Sequence, residues 1–333
     1  MKLVSYAYNG AAGFGVLNGH DLYPAQSLDK DLPNDIIAWL HMGEQGYQRM
    51  NSALEKLSAG ELKATPIVNY QLLAPVPKPT SCRDGYAFRQ HVAAARRNRG
   101  VEMIKEFDQY PIFYFTNHLA VQGPGEIFCM PDHFQQLDFE LEVAIVIGKE
   151  GRNIRAADAD SYIAGFTIMN DLSARKLQME EMLLNLGPAK GKDFSTVIGP
   201  WLVTPDELEK KKVPAKPGHV GSNYDLSMKC WVNDVLVSEG NMADMDWTFA
   251  EIIERCSYGV TLYPGDVIGS GTVGTGCFLE LNGTAKLNNP QHQPEWLQPN
   301  DAVTMQIDGL GTLNNIIRAE ATDWSILQLK KNL

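Results

Sequence analysis

Residues 137–148 read LDFELEVAIVIG, and no other stretch constrains the fold as strongly. The segment alternates as a β-strand does, placing Phe139, Leu141, Val143, Ile145 and Ile147 on one face. Asp138, Glu140, Glu142, Ala144 and Val146 fall on the other. A half-exposed strand whose polar end meets solvent would account for the acids, since charged residues mostly stay outside. The apolar lower half of the same face predicts instead that both faces are covered. Two neighbouring carboxylates in a covered site repel and resist ionisation unless a cation compensates them. A divalent ion is the economical partner, and carboxylate oxygens suit magnesium, calcium or manganese.

The rest of the chain is that of a globular enzyme-sized protein. Its 333 residues are 44% hydrophobic and 21% charged, with a net charge of −11. That balance argues against nucleic acid or an anionic membrane surface as partner. The short basic cluster Arg96, Arg97 and Arg99 suits a small anionic ligand or a salt-bridged face. Five scattered cysteines show neither metal-finger spacing nor a disulfide framework, so they read as reduced thiols. With no signal-like or membrane-length apolar run, the expected setting is the cytoplasm.

Short β-like runs broken by Asn-Gly pairs fill residues 1–24, and two helix-like segments follow. Pro75, Pro77 and Pro79 then mark a boundary. We expect a small β-rich N-terminal domain over 1–75 and a catalytic domain over 80–333. In the latter a helix is predicted over 86–98, with further helices at 155–163, 172–184 and 246–256. Strands are predicted at 112–116, 138–148, 164–170, 198–203, 225–238, 267–269, 277–282 and 302–308, and a loop at 286–301. Many strands with few, unevenly spaced helices indicate an α+β, mainly β architecture.

A metal needs further oxygen ligands. Asp171 ends an apolar strand before a helix-like segment, where Asp usually caps. Asp84 precedes the helix-like DGYAFRQH and raises the same ambiguity. Were that run helical, Asp84, Phe88 and His91 would share one side. A histidine becomes a general base only with an orienting carboxylate and a water. Glu280, in the strand-like FLEL after a glycine-rich turn, is a candidate for that carboxylate, or else an exposed strand residue. GPAKGK (187–192) leads to Asp193 and lacks the Ser/Thr of a phosphate loop. GSGTVGTG (269–276) leads into a predicted strand, against a dinucleotide fingerprint.

Taken together and in order, DGYAFRQH, FELEV, NDLSARKLQ, LGPAKGKDF, SGTVGTGCFLEL and IDGLGTLNN closely resemble the fumarylacetoacetate hydrolase family, from about residue 80 to 320. The resemblance implies that Asp84, Glu140, Glu142 and Asp171 ligate Mg2+ or Ca2+. It implies that His91 and Glu280 form a catalytic dyad that deprotonates water, and that Lys192 and Gln178 stabilise negative oxygens. Tyr86, Tyr114 and Thr272 match substrate contacts. Gly100 stands where the family pattern has a substrate arginine, and Arg99 or Arg97 is the nearest substitute. The implied fold is a β-sandwich roll behind the small N-terminal domain, in a homodimer. The implied activity is hydrolysis of a C–C bond in a 1,3-diketone acid such as fumarylacetoacetate, a step of tyrosine and phenylalanine catabolism. Rival readings are an acylpyruvate hydrolase or 2-oxo acid decarboxylase of the same superfamily, and a non-enzymatic calcium-binding module.

Overall fold

The computed structural model describes residues 1–331. Its central feature is an 11-stranded sheet. The first three strands are β1 (Lys2–Tyr8), β2 (Ala11–Asn18) and β3 (Asp21–Pro24), turning at Asn9-Gly10 and Gly19 with positive φ. Next come β4 (Cys82–Gly85) and β5 (Phe113–Thr116), then β6 (Gly125–Cys129), β7 (Leu141–Ile147), β8 (Ile163–Asp171) and β9 (Thr196–Val203). They are followed by β10 (Ser227–Val232), β11 (Val235–Asn241), β12 (Val267–Gly269), β13 (Ala302–Ile307) and β14 (Gly311–Ala319). The main sheet runs β3-β2-β1-β9-β8-β7-β12-β4-β5, with two short strands off this path, Gln71–Leu72 on β1 and Val121–Gln122 on β9. A five-stranded sheet runs β11-β10-β13-β14-β6. The helices that matter for the site are α1 (Ile36–His41), α2 (Glu44–Ser58), α3 (Arg89–Arg97), α4 (Arg175–Met182), α5 (Phe249–Ser257) and α6 (Phe278–Asn288).

Strand β7 is buried along its whole length, and its two faces belong to different cores. Leu141, Val143, Ile145 and Ile147 join the cluster that includes Met228, Met305 and Leu313 of the second sheet. Ala144 and Val146 join Trp39, Leu40 and Met50 of α1 and α2 instead. Both faces of the strand are therefore covered, as its apolar half required. The N-terminal strands continue the main sheet edge to edge, through the pairing of β1 with β9.

Several local expectations change, beginning with the strand expected over 138–148, which starts only at Leu141, while Leu137–Asp138 pairs separately with Ser173–Ala174. Residues 277–282 are not a strand: Phe278–Asn288 is helical, and the loop expected over 286–301 begins after it. The carboxylate of Asp138 accepts the N–H groups of Phe278 and Leu279 at 2.7 and 2.9 Å, which starts the helix. Gly283 supplies a close approach, since a Cβ there would lie 2.4 Å from Asn98 Nδ2. Asp84 lies on β4, and the helix begins only at Arg89, whose N–H is held by Asp246 Oδ2 at 2.8 Å. Asp84, Phe88 and His91 therefore do not share a helical face. Asp171 does not cap a helix but ends β8 opposite Thr196. Residues 225–238 form a hairpin that turns at Asn233 and Asp234, both with positive φ. Strands β6 and β14 were not among the predicted strands. The five cysteines are free and buried.

Candidate active site

Three acids from three strands meet at the end of the main sheet. One carboxylate oxygen of each of Asp84, Glu142 and Asp171 lies within 4.8 Å of the others, and all three residues are buried. The order β4-β12-β7-β8 places β12 between β4 and β7, where Gly269 faces both Asp84 and Ala144. The glycine leaves room for the acids to converge. Gly271 N–H donates to Asp84 Oδ1 at 3.0 Å, and Thr272 Oγ1 to Glu142 Oε1 at 3.4 Å.

This cluster is electrostatically costly without a cation. Burial, reinforced by the Asp171 charge, pushes the Asp84 carboxyl up to about 7. Burial and the neighbouring Asp84 push Glu142 well above the usual carboxylate range. Burial also raises Asp171, against the opposing charge of Lys192. Glu142 Oε2 and Asp171 Oδ1 are buried and have no hydrogen-bond partner among the described residues. Orphaned carboxylate oxygens in an all-oxygen trio are what a hard divalent ion satisfies, so the residues fit such an ion.

Glu140 lies beside this trio rather than within it. Lys192 Nζ donates to Asp171 Oδ2 at 2.7 Å and also to Glu140 Oε2. Arg175 binds Glu140 Oε1 at 2.7 Å, Asp138 Oδ2 at 2.8 Å and Gln178 Oε1 at 3.0 Å. Burial alone would raise the Glu140 carboxyl, but Arg175 and Lys192 outweigh it and bring it to about 2. Burial disfavours the Lys192 ammonium, yet Asp171 and Glu140 hold its pKa above the ordinary lysine value. The turn before Lys192 is fixed by Glu181, which accepts the N–H groups of Ala189, Lys190 and Gly191 at 2.7–3.0 Å.

The second unit is a pair. His91 Nδ1 and Glu280 Oε2 are 2.7 Å apart, both side chains buried, one on α3 and the other on α6. Asn98 Nδ2 donates to the Glu280 carbonyl at 3.0 Å, tying the two helices together. A carboxylate on Nδ1 fixes the imidazole tautomer and leaves Nε2 to exchange a proton. The edge of the Tyr86 ring meets His91, with centroids 6.0 Å apart. Tyr114 donates its hydroxyl to Asp171 Oδ2.

The expected arginines are less well placed. Arg99 is exposed, with its Nε on the Ala95 carbonyl, and Arg97 reaches Thr284 on α6. Burial raises the Tyr86 hydroxyl, and the charges of Arg99 and Arg96 oppose that rise. Sequence reasoning passed over Arg175 and Asp138, which bind Glu140, Gln178 and the start of α6. Arg175 stood inside the quoted NDLSARKLQ, and Asp138 shared a strand face with Glu140. The glycine-rich segment runs into a helix, as a dinucleotide fingerprint would, and not into the expected strand. The reading still fails, because Asp138 already occupies the N–H groups that would meet a phosphate.

Comparison with known proteins identifies the family. The family model for the C-terminal domain of fumarylacetoacetate hydrolase matches residues 80–318. The mitochondrial oxaloacetate tautomerase FAHD2B of Bos taurus is 32% identical over 307 residues, covering 90% of this chain and 84% of the relative. A fumarylacetoacetate hydrolase from psychrophilic Exiguobacterium antarcticum superposes with a TM-score of 0.69 at 23% identity, covering 96% of this chain and 100% of that one. Maleylpyruvate hydrolase from Sphingobium sp. SYK-6, in complex with manganese(II) and pyruvate, gives 0.67 at 21% identity, with coverage of 96% and 99%. The chain therefore belongs to the fumarylacetoacetate hydrolase family, whose members include hydrolases, isomerases and tautomerases.

Proposed function

We propose that the protein is a metal-dependent hydrolase that cleaves a carbon–carbon bond in a 1,3-diketone acid, with fumarylacetoacetate as substrate and fumarate and acetoacetate as products. The observation that carries this reading is the buried 2.7 Å bond between His91 and Glu280, next to a trio of acids with orphaned oxygens. Asp84, Glu142 and Asp171 would hold Mg2+ or Ca2+, which when bound supplies charge stabilisation for an enolate, while Glu140, expected as a fourth ligand, is engaged by Arg175 and Lys192 beside them.

The chain's own groups account for the rest. His91 Nε2 takes a proton from water, whose oxygen bonds to the carbonyl carbon. The C–C bond then breaks, its electron pair passes to the departing carbon, and that carbon takes up a proton. Lys192 and Gln178 donate hydrogen bonds to the oxygens on which charge develops. Arg175 holds the carbonyl oxygen of Gln178 and so leaves its amide N–H groups to donate. Tyr86, Tyr114 and Thr272 contact the substrate. The family's homodimer and a cytoplasmic setting belong to the same reading, and light scattering tests the former.

A second reading is favoured by the 32% identical tautomerase relatives. Enolisation of a 2-oxo acid uses the same base without water: His91 removes a proton from carbon, and an oxygen receives one. Incubation with fumarylacetoacetate, an acylpyruvate and oxaloacetate in turn separates the possibilities. Loss of diketone absorbance with equimolar fumarate and acetoacetate, abolished by a chelator, supports the hydrolase. Inertness towards fumarylacetoacetate refutes it. Release of pyruvate or carbon dioxide would then indicate the rival hydrolase or decarboxylase, and keto–enol exchange of oxaloacetate the tautomerase.

A further inference from the structure

Cys277, the residue before α6, has no part in the chemistry above. One donor atom from each of His91, Glu140 and Cys277 lies within 4.8 Å of the others, and all three residues are buried. We propose that these side chains form a second metal site, for a borderline-soft ion of the Zn2+ class, and that its occupation blocks the His91–Glu280 dyad. The metal site goes beyond the proposed function, whereas the block rests on that reading.

Donor chemistry separates the two sites. Asp84, Glu142 and Asp171 offer oxygen alone, which suits hard ions. Imidazole, thiolate and carboxylate together are a zinc set, and thiolate selects against magnesium and calcium. His91 is also prepared as a ligand. Its Nδ1 is engaged by Glu280 at 2.7 Å, leaving Nε2 as the free donor, and this carboxylate–imidazole arrangement is the usual support of a metal-bound histidine.

The surroundings favour a cation. Around the three donors the acids Asp138, Glu140 and Glu280 are met by the cations Arg175 and Lys192, and a thiolate adds a further negative charge. On binding, the Cys277 thiol releases its proton to solvent and its sulfur bonds to the ion. No redox change is involved. Among the described residues, Cys82, Cys129, Cys230 and Cys256 are in no comparable cluster. A filled site would take the lone pair of His91 Nε2, which the hydrolytic reading needs for water.

Cobalt(II) is the probe, added to the magnesium-loaded protein. The expected result is a thiolate-to-cobalt charge-transfer band that is displaced by Zn2+. Cys277→Ser should lose the band while keeping its basal turnover, with Cys277→Ala as the second variant if the serine protein does not fold. Glu280→Gln should weaken cobalt binding by roughly 10–100-fold, as loss of an outer-shell partner does. Zn2+ should silence the wild-type enzyme in saturating magnesium and spare Cys277→Ser. Absence of the band, or its survival in both Cys277 variants, overturns the site. A band that depends on Cys277 with turnover indifferent to zinc keeps the site, and overturns the block and the role given to His91.

Discussion

Gly269 pairs with Asp84 across the parallel strands β12 and β4, and a methyl group on Gly269 would lie 2.4 Å from Asp84 Oδ1. The same carbon would stand 2.8 Å from Met169 Sδ and 2.9 Å from Glu142 Oε2. The acids converge because this position carries no side chain. Space is the reason, since Gly269 is not among the residues with positive φ.

Gly269→Ala should therefore separate metal retention from folding. The added carbon meets the ends of side chains that can swing aside, so we expect a stability loss of about 1–3 kcal/mol. The displaced carboxylates should no longer share an ion. Thermal melting and elemental analysis of the same preparation check both halves. A folded variant with a full metal complement would refute the coordination assigned to Asp84 and Glu142.

His91→Ala should lower turnover by roughly 10²–10⁴-fold, the contribution of a positioned general base. Magnesium content should stay near that of the wild type, because the oxygen trio lies outside the dyad. Glu280→Gln should lower turnover with little change in KM, since it disturbs the orientation of the imidazole rather than substrate contacts. Steady-state kinetics with each variant decides, and near-normal turnover in His91→Ala removes it as the base.

Much of this site was legible in the sequence because strand alternation is rigid. The side-chain period of two put Glu142 on the face of Ala144 and Val146, whose apolar character showed that the face was covered. The alternation was extended too far, however: Glu140 precedes the strand and stands beside the acid trio. What failed was local and depended on distant partners. Phe278, Leu279 and Leu281 read equally as strand or helix, and a remote carboxylate, Asp138, decides for helix. Asp84 looked like a helix cap because nothing in DGYAFRQH reveals that its first residues pair with β12 and β5. The roles of Arg175 and Asp138 emerge only when their partners are assembled.

Stability of the chelated protein should fall as pH rises from about 4 to about 7. The Asp84 carboxyl ionises near its ordinary value when unfolded but near 7 when folded, so the folded state binds more protons in this window. Stability is thus present below the unfolded value and lost as pH climbs through the folded one. The loss is on the order of a few kcal/mol, and raised Glu142 and Asp171 act in the same direction. Glu140, held near 2, works oppositely and matters only as pH falls below its unfolded value. Magnesium should flatten the curve by compensating the ionised acids. Urea melts of chelated and magnesium-loaded protein across this range test it, and a chelated protein that gains stability with pH would contradict it.

Asp138 is fully buried and makes three strong contacts, with Arg175 Nε and the N–H groups of Phe278 and Leu279. Asp138→Ala would leave Arg175 with Glu140 as its remaining carboxylate and expose two N–H groups at the start of α6 to an apolar gap. Breaking one side of a buried ion pair costs about 3–5 kcal/mol, so the alanine variant should be strongly destabilised in urea. Asp138→Asn keeps an acceptor for one N–H group but loses the charge that faces Arg175, so it should fall between alanine and wild type. Because α6 carries Glu280, the asparagine variant should also lose turnover more than its stability loss explains, through a misplaced His91–Glu280 pair. An Asp138→Asn protein with wild-type turnover would show that the dyad is held in place by the α3–α6 contacts alone.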